Sequence, residues 1–146
     1  GSFKNIVDIT FEPRDVIVWR KNNIGMGRGY RGQYEICFYD GGFSGSDSDV
    51  WDIAKAKNYQ HPTQKPVELC VRAINNSKPR SVVDIYAGSG STLIACEKSG
   101  LPSFNIELDN HYIDVIITRW QDFTGKEAVH ESGATFNEMK AQREAA

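Results

Sequence analysis

The chain reads as an α/β domain: a parallel strand–helix–strand unit joined to an antiparallel strand pair. Three observations predict this. Residues 81–120 run strand–helix–strand–helix, alternating short apolar runs with apolar positions at helical spacing, and strands joined through a helix lie parallel. Two β-branched and aromatic runs, 16–19 and 34–39, read as strands on either side of a long connector. The run 82–86 ends in Ala87-Gly88-Ser89-Gly90-Ser91, where glycine lets the backbone reverse sharply between a strand and a helix.

Taken in order, the connector from Arg20 to Gln33 is too long for a tight hairpin turn and holds Gly25, Gly27, Gly29 and Gly32 beside Asn22 and Asn23, so it is expected to be mobile. Asp40-Gly41-Gly42 stops the second strand, and residues 40–60, polar and Gly/Ser-rich around Asp49-Val50-Trp51-Asp52-Ile53, read as loop. Pro66 suits the first turn of a helix, where a missing N–H costs nothing. Val67, Cys70, Val71 and Ile74 then repeat on one helical face, and Pro79 ends the element. After the 82–86 strand, Ser89 or Ser91 is expected to cap a helix running to Lys98, with Gly100 as its stop. Residues 103–108 read as the next strand. Asp109 or Asn110 caps a helix whose Ile113, Ile116, Ile117 and Trp120 share a face. Beyond Phe123 the chain turns polar, and 131–146 is expected to fray, with a weak helix at 137–145.

The turn at Gly88 and Gly90 has a partner in sequence. Glu107 closes the next apolar run 17 residues after Gly90, where an acid at a second strand's end can hold two ribose hydroxyls while the glycines admit a ligand to the backbone. An ordinary strand-to-helix turn beside a surface acid would use the same residues. Leu93 stands where a dinucleotide site wants a third small residue, which argues against a pyrophosphate. A ligand with an adenosine and a short zwitterionic tail fits better: Glu107 would take the ribose, and Asp84, at the strand's C-terminal end, either accepts from an ammonium group or caps the loop.

Composition narrows the class. With 146 residues, 40% hydrophobic and 25% charged, the chain can bury a core, and no apolar run approaches the length that spans a bilayer, so no membrane partner is expected. Cys37, Cys70 and Cys96 are odd in number, widely spaced and set in apolar patterns; they read as reduced thiols of a cytoplasmic protein, and with His61, His111 and His130 scattered no metal site is expected. Net charge is −2, yet between Pro13 and Gln33 the bases Arg14, Arg20, Lys21, Arg28 and Arg31 face the single acid Asp15. Such a loop either contacts phosphates or is simply solvated.

Asp84-Ile85-Tyr86-Ala87-Gly88-Ser89-Gly90-Ser91-Thr92 resembles the cofactor motif of S-adenosylmethionine-dependent DNA amino-methyltransferases. His61-Pro62-Thr63-Gln64-Lys65-Pro66 is similar to that family's second cofactor motif, and Asn105-Ile106-Glu107-Leu108-Asp109 to its ribose-gripping strand end. Trp19 to Glu35 and Arg119 to Gly125 resemble phage-type members. The order is that of the permuted arrangement, with the catalytic motif ahead of the cofactor motif. The resemblance implies a Rossmann-like fold, S-adenosylmethionine as cofactor, double-stranded DNA as partner, and methylation of adenine N6 or cytosine N4 in a restriction–modification setting. It implies that Thr63 and Gln64 hold the methionine end, that Tyr86, where the family more often has Phe, lines the pocket, and that Asp84, Gly88, Ser89, Gly90 and Glu107 complete the cofactor site. Arg20, Lys21, Arg28 and Arg31 are the expected DNA contacts.

One expected motif is missing. The family's Asp-Pro-Pro-Tyr tetrapeptide grips the target amino group and stacks on the extruded base. Here Pro13, Pro62, Pro66, Pro79 and Pro102 are all isolated. No catalytic residue is therefore assigned, and the chain alone is expected to be inactive. The reading is one partial methyltransferase domain over 3–130, with the strand pair and basic loop at 13–39, a recognition-type loop at 40–60, the cofactor-binding part at 61–123 and a polar tail at 131–146. A polypeptide carrying the upstream half, or self-association, is expected to complete it. The alternatives are a non-catalytic remnant of a phage or mobile-element methylase and, more remotely, a nicotinamide enzyme.

Overall fold

A computed structural model describes residues 13–43, 45–57 and 63–145. It divides into two compact units, Gly1–Lys55 and Ala56–Ala146. The first holds a three-stranded sheet. Strand β1 (Asp15–Arg20) pairs antiparallel with β2 (Tyr34–Tyr39), Asp15 opposite Tyr39 and Arg20 opposite Tyr34. On its other edge β1 pairs parallel with β3 (Val50–Asp52), Trp19 opposite Trp51. Strand β3 lies within the segment read as loop. Three residues between acids carry too short a pattern to declare a strand; its pairing with β1 makes it one. Trp19 and Trp51 are the buried centre of this unit. Each indole N–H is satisfied on a carbonyl, Trp19 Nε1 donating to Ile53 O at 2.7 Å and Trp51 Nε1 to Ser48 O at 2.8 Å, which lets the two largest side chains be buried without an orphaned donor.

The connector between β1 and β2 has a stem. Lys21 N donates to Gln33 O at 2.8 Å, Gly25 N to Gly32 O at 2.8 Å, and Gln33 Nε2 returns to Lys21 O at 3.1 Å. The backbone is therefore fastened as far as Gly25 and Gly32, leaving 26–31 as the tip.

In the second unit, helix α1 (Val67–Ser77) starts at Pro66 and ends on Lys78, whose φ of 46° makes it the left-handed cap just before Pro79. Strand β4 (Val82–Asp84), helix α2 (Ser91–Ser99) and strand β5 (Ser103–Asn105) form the expected parallel unit, Val83 opposite Phe104. Both strands are shorter than the apolar runs that announced them, although pairing continues past their ends through Ile106 N to Asp84 O and Ala87 N to Ile106 O. Ile74, Ala95 and Cys96 form the buried core, with Val67, Cys70, Val71, Val82 and Leu101 packed against it. The apolar face anticipated for α1 is thus the one that meets α2.

Neither serine caps α2. Its N-cap is Gly90 with φ 76°, no side chain accepts the first amides, and both hydroxyls are used elsewhere. Gly100 ends the helix in the left-handed conformation, as its position predicts. Helix α3 (Asn110–Thr124) is capped by Asp109, which accepts from His111 N at 2.9 Å. The helix expected at 137–145 is present: α4 (Phe136–Glu144) opens with a capping box between Thr135 and Glu138, buries Phe136, and is tied to α3 by both Asp114 carboxylate oxygens on Arg143. Its hydrophobic signal is weak, so capping and pairing with α3 decide its fold.

The face of β4 and β5 that carries Val83 and Phe104 is exposed within the second unit, among the described residues. These two are 64% and 63% exposed, and Ile85, Ile106 and Leu108 continue the same alternation at 58%, 58% and 96%.

Candidate functional site

A cavity of about 370 Å³ opens at the C-terminal end of β4. Its walls come from four places: Thr63, Gln64 and Lys65 ahead of α1; Cys70 on α1; Asp84, Tyr86, Ala87, Gly88 and Ser89 on the turn, continuing into Ser91 and Thr92 of α2; and Glu107 beyond β5. Strand ends in a parallel unit leave a crevice at this point, because the chain must leave one strand for a helix while its neighbour ends beside it.

Glu107 fastens that crevice. Its Oε2 accepts from Gly88 N at 2.7 Å, and its Oε1 accepts from Leu108 N at 2.9 Å and Asp109 N at 3.0 Å. One carboxylate thus binds the glycine turn to the start of α3. Asp84 Oδ1 accepts from Tyr86 N at 3.0 Å, the loop-capping role, while its Oδ2 makes no hydrogen bond to the described residues. Tyr86 stands exposed at the rim. On the opposite wall Cys70 Sγ meets Thr92 Oγ1 at 3.8 Å.

Of the residues singled out from the sequence, Thr63, Gln64, Asp84, Tyr86, Gly88, Ser89 and Glu107 line this cavity; His61 and Pro62 lie outside the described residues. Gly90 does not line it. A Cβ there would stand 3.2 Å from Ile116 Cγ2, so Gly90 serves the turn and the approach of α3 to it.

Arg119 of α3 is the residue that sequence reasoning missed. Its Nη1 donates to Ser89 O at 2.8 Å, Ser89 Oγ at 3.2 Å and Ser91 Oγ at 3.4 Å, and Ser91 Oγ donates in turn to Lys65 O at 2.7 Å. Burial lowers the guanidinium's pKa from its ordinary value. The available signal was a single arginine between Ile116, Ile117 and Trp120 on an otherwise apolar face.

The four expected DNA contacts lie in the first unit and divide into two pairs. Arg20 is held by both Asp52 carboxylate oxygens, its Nη2 2.6 Å from Oδ2. Lys21 lies 2.6 Å from Glu35 Oε1 and 5.2 Å from the Trp19 ring centre, its side chain only 14% exposed. Lys21 braces the stem of the loop, and Arg20 ties β1 to β3. Arg28 and Arg31 stand on the exposed tip with no ion pair among the described residues, beside the fully exposed Met26 and Tyr30. Among the described residues no cluster of His, Cys, Asp and Glu could hold a metal ion, and no helix is long and apolar enough to cross a membrane.

A parallel βαβ unit with a glycine turn tied to an acid beyond the next strand is Rossmann-like architecture. Residues 43–118, more than half of the chain, match the family model of the DNA methylases, and the chain belongs to that family. Membership removes the nicotinamide alternative. A curated relative, the type II methyltransferase M.ScaI of Streptomyces caespitosus, is 29% identical over 83 residues, which cover 49% of this chain and 27% of that protein. Among solved structures, M1.HpyAVI in complex with SAM superposes with a TM-score of 0.60 at 24% identity, covering 73% of this chain and 60% of that one. TTHA0409 from Thermus thermophilus, complexed with S-adenosyl-L-methionine, gives a TM-score of 0.58 at 21% identity, covering 80% and 56%. The chain therefore spans about a quarter of the curated relative and less than two thirds of each of these solved chains.

Proposed function

We propose that this chain is the cofactor-binding portion of a DNA methyltransferase that uses S-adenosylmethionine to methylate adenine N6 or cytosine N4. The observation that carries the reading is the cavity in which Glu107 holds the Gly88 turn. Its volume falls within the range of about 300–1,000 Å³ usual for small-molecule sites, and its chemistry suits the ligand. Glu107 offers a fixed anionic acceptor for ribose hydroxyls, Asp84 Oδ2 an acceptor for an ammonium group, and Thr63 and Gln64 polar contacts for the amino-acid end. When bound, the cofactor supplies an electrophilic methyl group. The chain's own residues bind and orient it, and Tyr86 borders its entrance. Both units are read as parts of one methyltransferase domain.

For DNA, Arg28 and Arg31 are the proposed phosphate contacts, with Lys21 bracing the stem that presents them and Arg20 tying β1 to β3. The setting is a phage-type restriction–modification system in the cytoplasm. Because the Asp-Pro-Pro-Tyr tetrapeptide is absent from this sequence, nothing here is assigned to grip the target amino group, and the chain alone is proposed to be inactive. A polypeptide carrying that motif, or a second copy of this chain, would complete the sheet. The exposed face of β4 and β5 supports a partner that packs over it, since parallel strands occur with both faces covered. The same absence favours one other reading, a remnant that retains cofactor or DNA binding without catalysis.

The test pairs two measurements on the pure protein. Calorimetry with S-adenosylmethionine and S-adenosylhomocysteine should show binding, and incubation of DNA with methyl-labelled cofactor should show no transfer. Absence of heat at millimolar ligand would remove the cofactor reading, and labelled DNA would remove the inactive one.

A further inference from the structure

We infer that Arg119 is a positioning residue of the cofactor cavity, which turns the Ser89 hydroxyl proton toward an anionic oxygen of the ligand, the carboxylate at its amino-acid end. The inference rests on the proposed cofactor. Its basis is a count of donors and acceptors. A guanidinium only donates, so the oxygens it meets at 3.2 and 3.4 Å, Ser89 Oγ and Ser91 Oγ, must both accept from it. Ser91 then spends its proton on Lys65 O at 2.7 Å. Ser89 is only 4% exposed and lines the cavity, and its proton has no acceptor among the described residues. A buried hydroxyl proton without a partner is costly, and the open direction is the cavity.

The same guanidinium fixes the backbone on two walls. It holds the Ser89 carbonyl directly at 2.8 Å and the Lys65 carbonyl through Ser91, joining the turn to the segment that carries Thr63 and Gln64. Its three oxygen partners are carbonyl and hydroxyl groups, none a carboxylate. A partly desolvated cation with no carboxylate partner among the described residues gains little stability, whereas it raises the donor strength of the hydroxyl it polarises and adds positive potential behind an incoming carboxylate.

The experiment compares two ligands by calorimetry: S-adenosylhomocysteine, which carries the amino-acid end, and 5′-methylthioadenosine, which lacks it. Wild type, Arg119→Lys, Arg119→Met and Ser89→Ala are titrated with each. Arg119→Met and Ser89→Ala should each weaken S-adenosylhomocysteine by about tenfold or more while changing 5′-methylthioadenosine by less than about twofold, and Arg119→Lys should recover part of the loss. Equal weakening of both ligands, or of neither, would overturn the inference. Should Arg119→Met fail to fold, Arg119→Lys decides it together with Ser89→Ala: a loss in Arg119→Lys confined to S-adenosylhomocysteine upholds the inference, and an equal change for both ligands, or none, overturns it. A wild-type protein that binds neither ligand would instead overturn the cofactor reading, and this inference with it.

Discussion

Glu107 Oε2 accepts the Gly88 amide at 2.7 Å across 19 residues of sequence, so the acid beyond β5 sets the shape of the turn that follows β4. The two features that the sequence suggests as separate contacts to one ligand are first of all contacts to each other. Any ligand that uses Glu107 meets a carboxylate already oriented by three backbone amides.

Glu107→Ala should therefore lose an acceptor and release the turn together. The expected cost to S-adenosylhomocysteine binding is roughly 2–4 kcal/mol. Glu107→Gln keeps a carbonyl for Gly88 and should cost less. Calorimetric titration of the three proteins ranks them, and an unchanged affinity in Glu107→Ala would remove Glu107 from the site.

Gly90→Ala tests packing rather than chemistry. The added methyl meets Ile116 Cγ2 at 3.2 Å, and the backbone stands at φ +76°, where a side chain costs about 1–2 kcal/mol. A lowered Tm is expected, with ligand affinity at low temperature nearly retained because Gly90 does not line the cavity. A thermal melt followed by titration well below the new midpoint separates the two effects.

Neutralising Arg28 and Arg31 together should reduce the salt dependence of DNA binding by roughly one to two units of log–log slope. Neutralising Arg20 or Lys21 should leave the slope unchanged and lower Tm instead, since each is already paired, with Asp52 and with Glu35. Affinity measured across a salt series reads both outcomes, and equal slopes in all variants would leave the tip as a solvated loop.

The tail should respond to pH through its cap. The Thr135 backbone amide and then its hydroxyl hold the Glu138 carboxyl below its ordinary value. A depressed pKa gives a contribution that is fully present above the unfolded value and lost as pH falls through the folded one. Thr135→Ala should destabilise α4 by about 1 kcal/mol near neutral pH. Glu138→Gln should remove the part of the acid-induced loosening that belongs to this helix, as read by hydrogen exchange of the α4 amides at neutral and at acid pH.

The elements legible in the sequence were those with a repeating apolar pattern or a glycine stop: the face of α1, the α2 terminus at Gly100, and the parallel order of β4 and β5. What escaped depended on partners distant in sequence. Val50–Asp52 becomes a strand only beside β1, whereas the helix expected at 137–145 is present as α4, with its box and its link to Asp114 as the parts no periodicity announced. Ser89 and Ser91 have the right chemistry for helix caps, but a guanidinium 28 to 30 residues away claims their oxygens. Within the cavity, residue types announced themselves because glycine and carboxylate at a strand end have few other uses, whereas Arg119 sat in a helix whose pattern spoke only of packing. Arg20 and Lys21 were visible as charges of a basic loop, but their pairing with Asp52 and Glu35 was not, because those acids lie 32 and 14 residues further along the chain.

The Val83–Phe104 face bears on how this chain behaves when concentrated. Five apolar side chains in the open adhere to any comparable surface, so pure protein should self-associate reversibly as its concentration rises and should bind a dye that fluoresces on apolar surface. Val83→Lys with Phe104→Lys should abolish both without touching the residues that line the cavity.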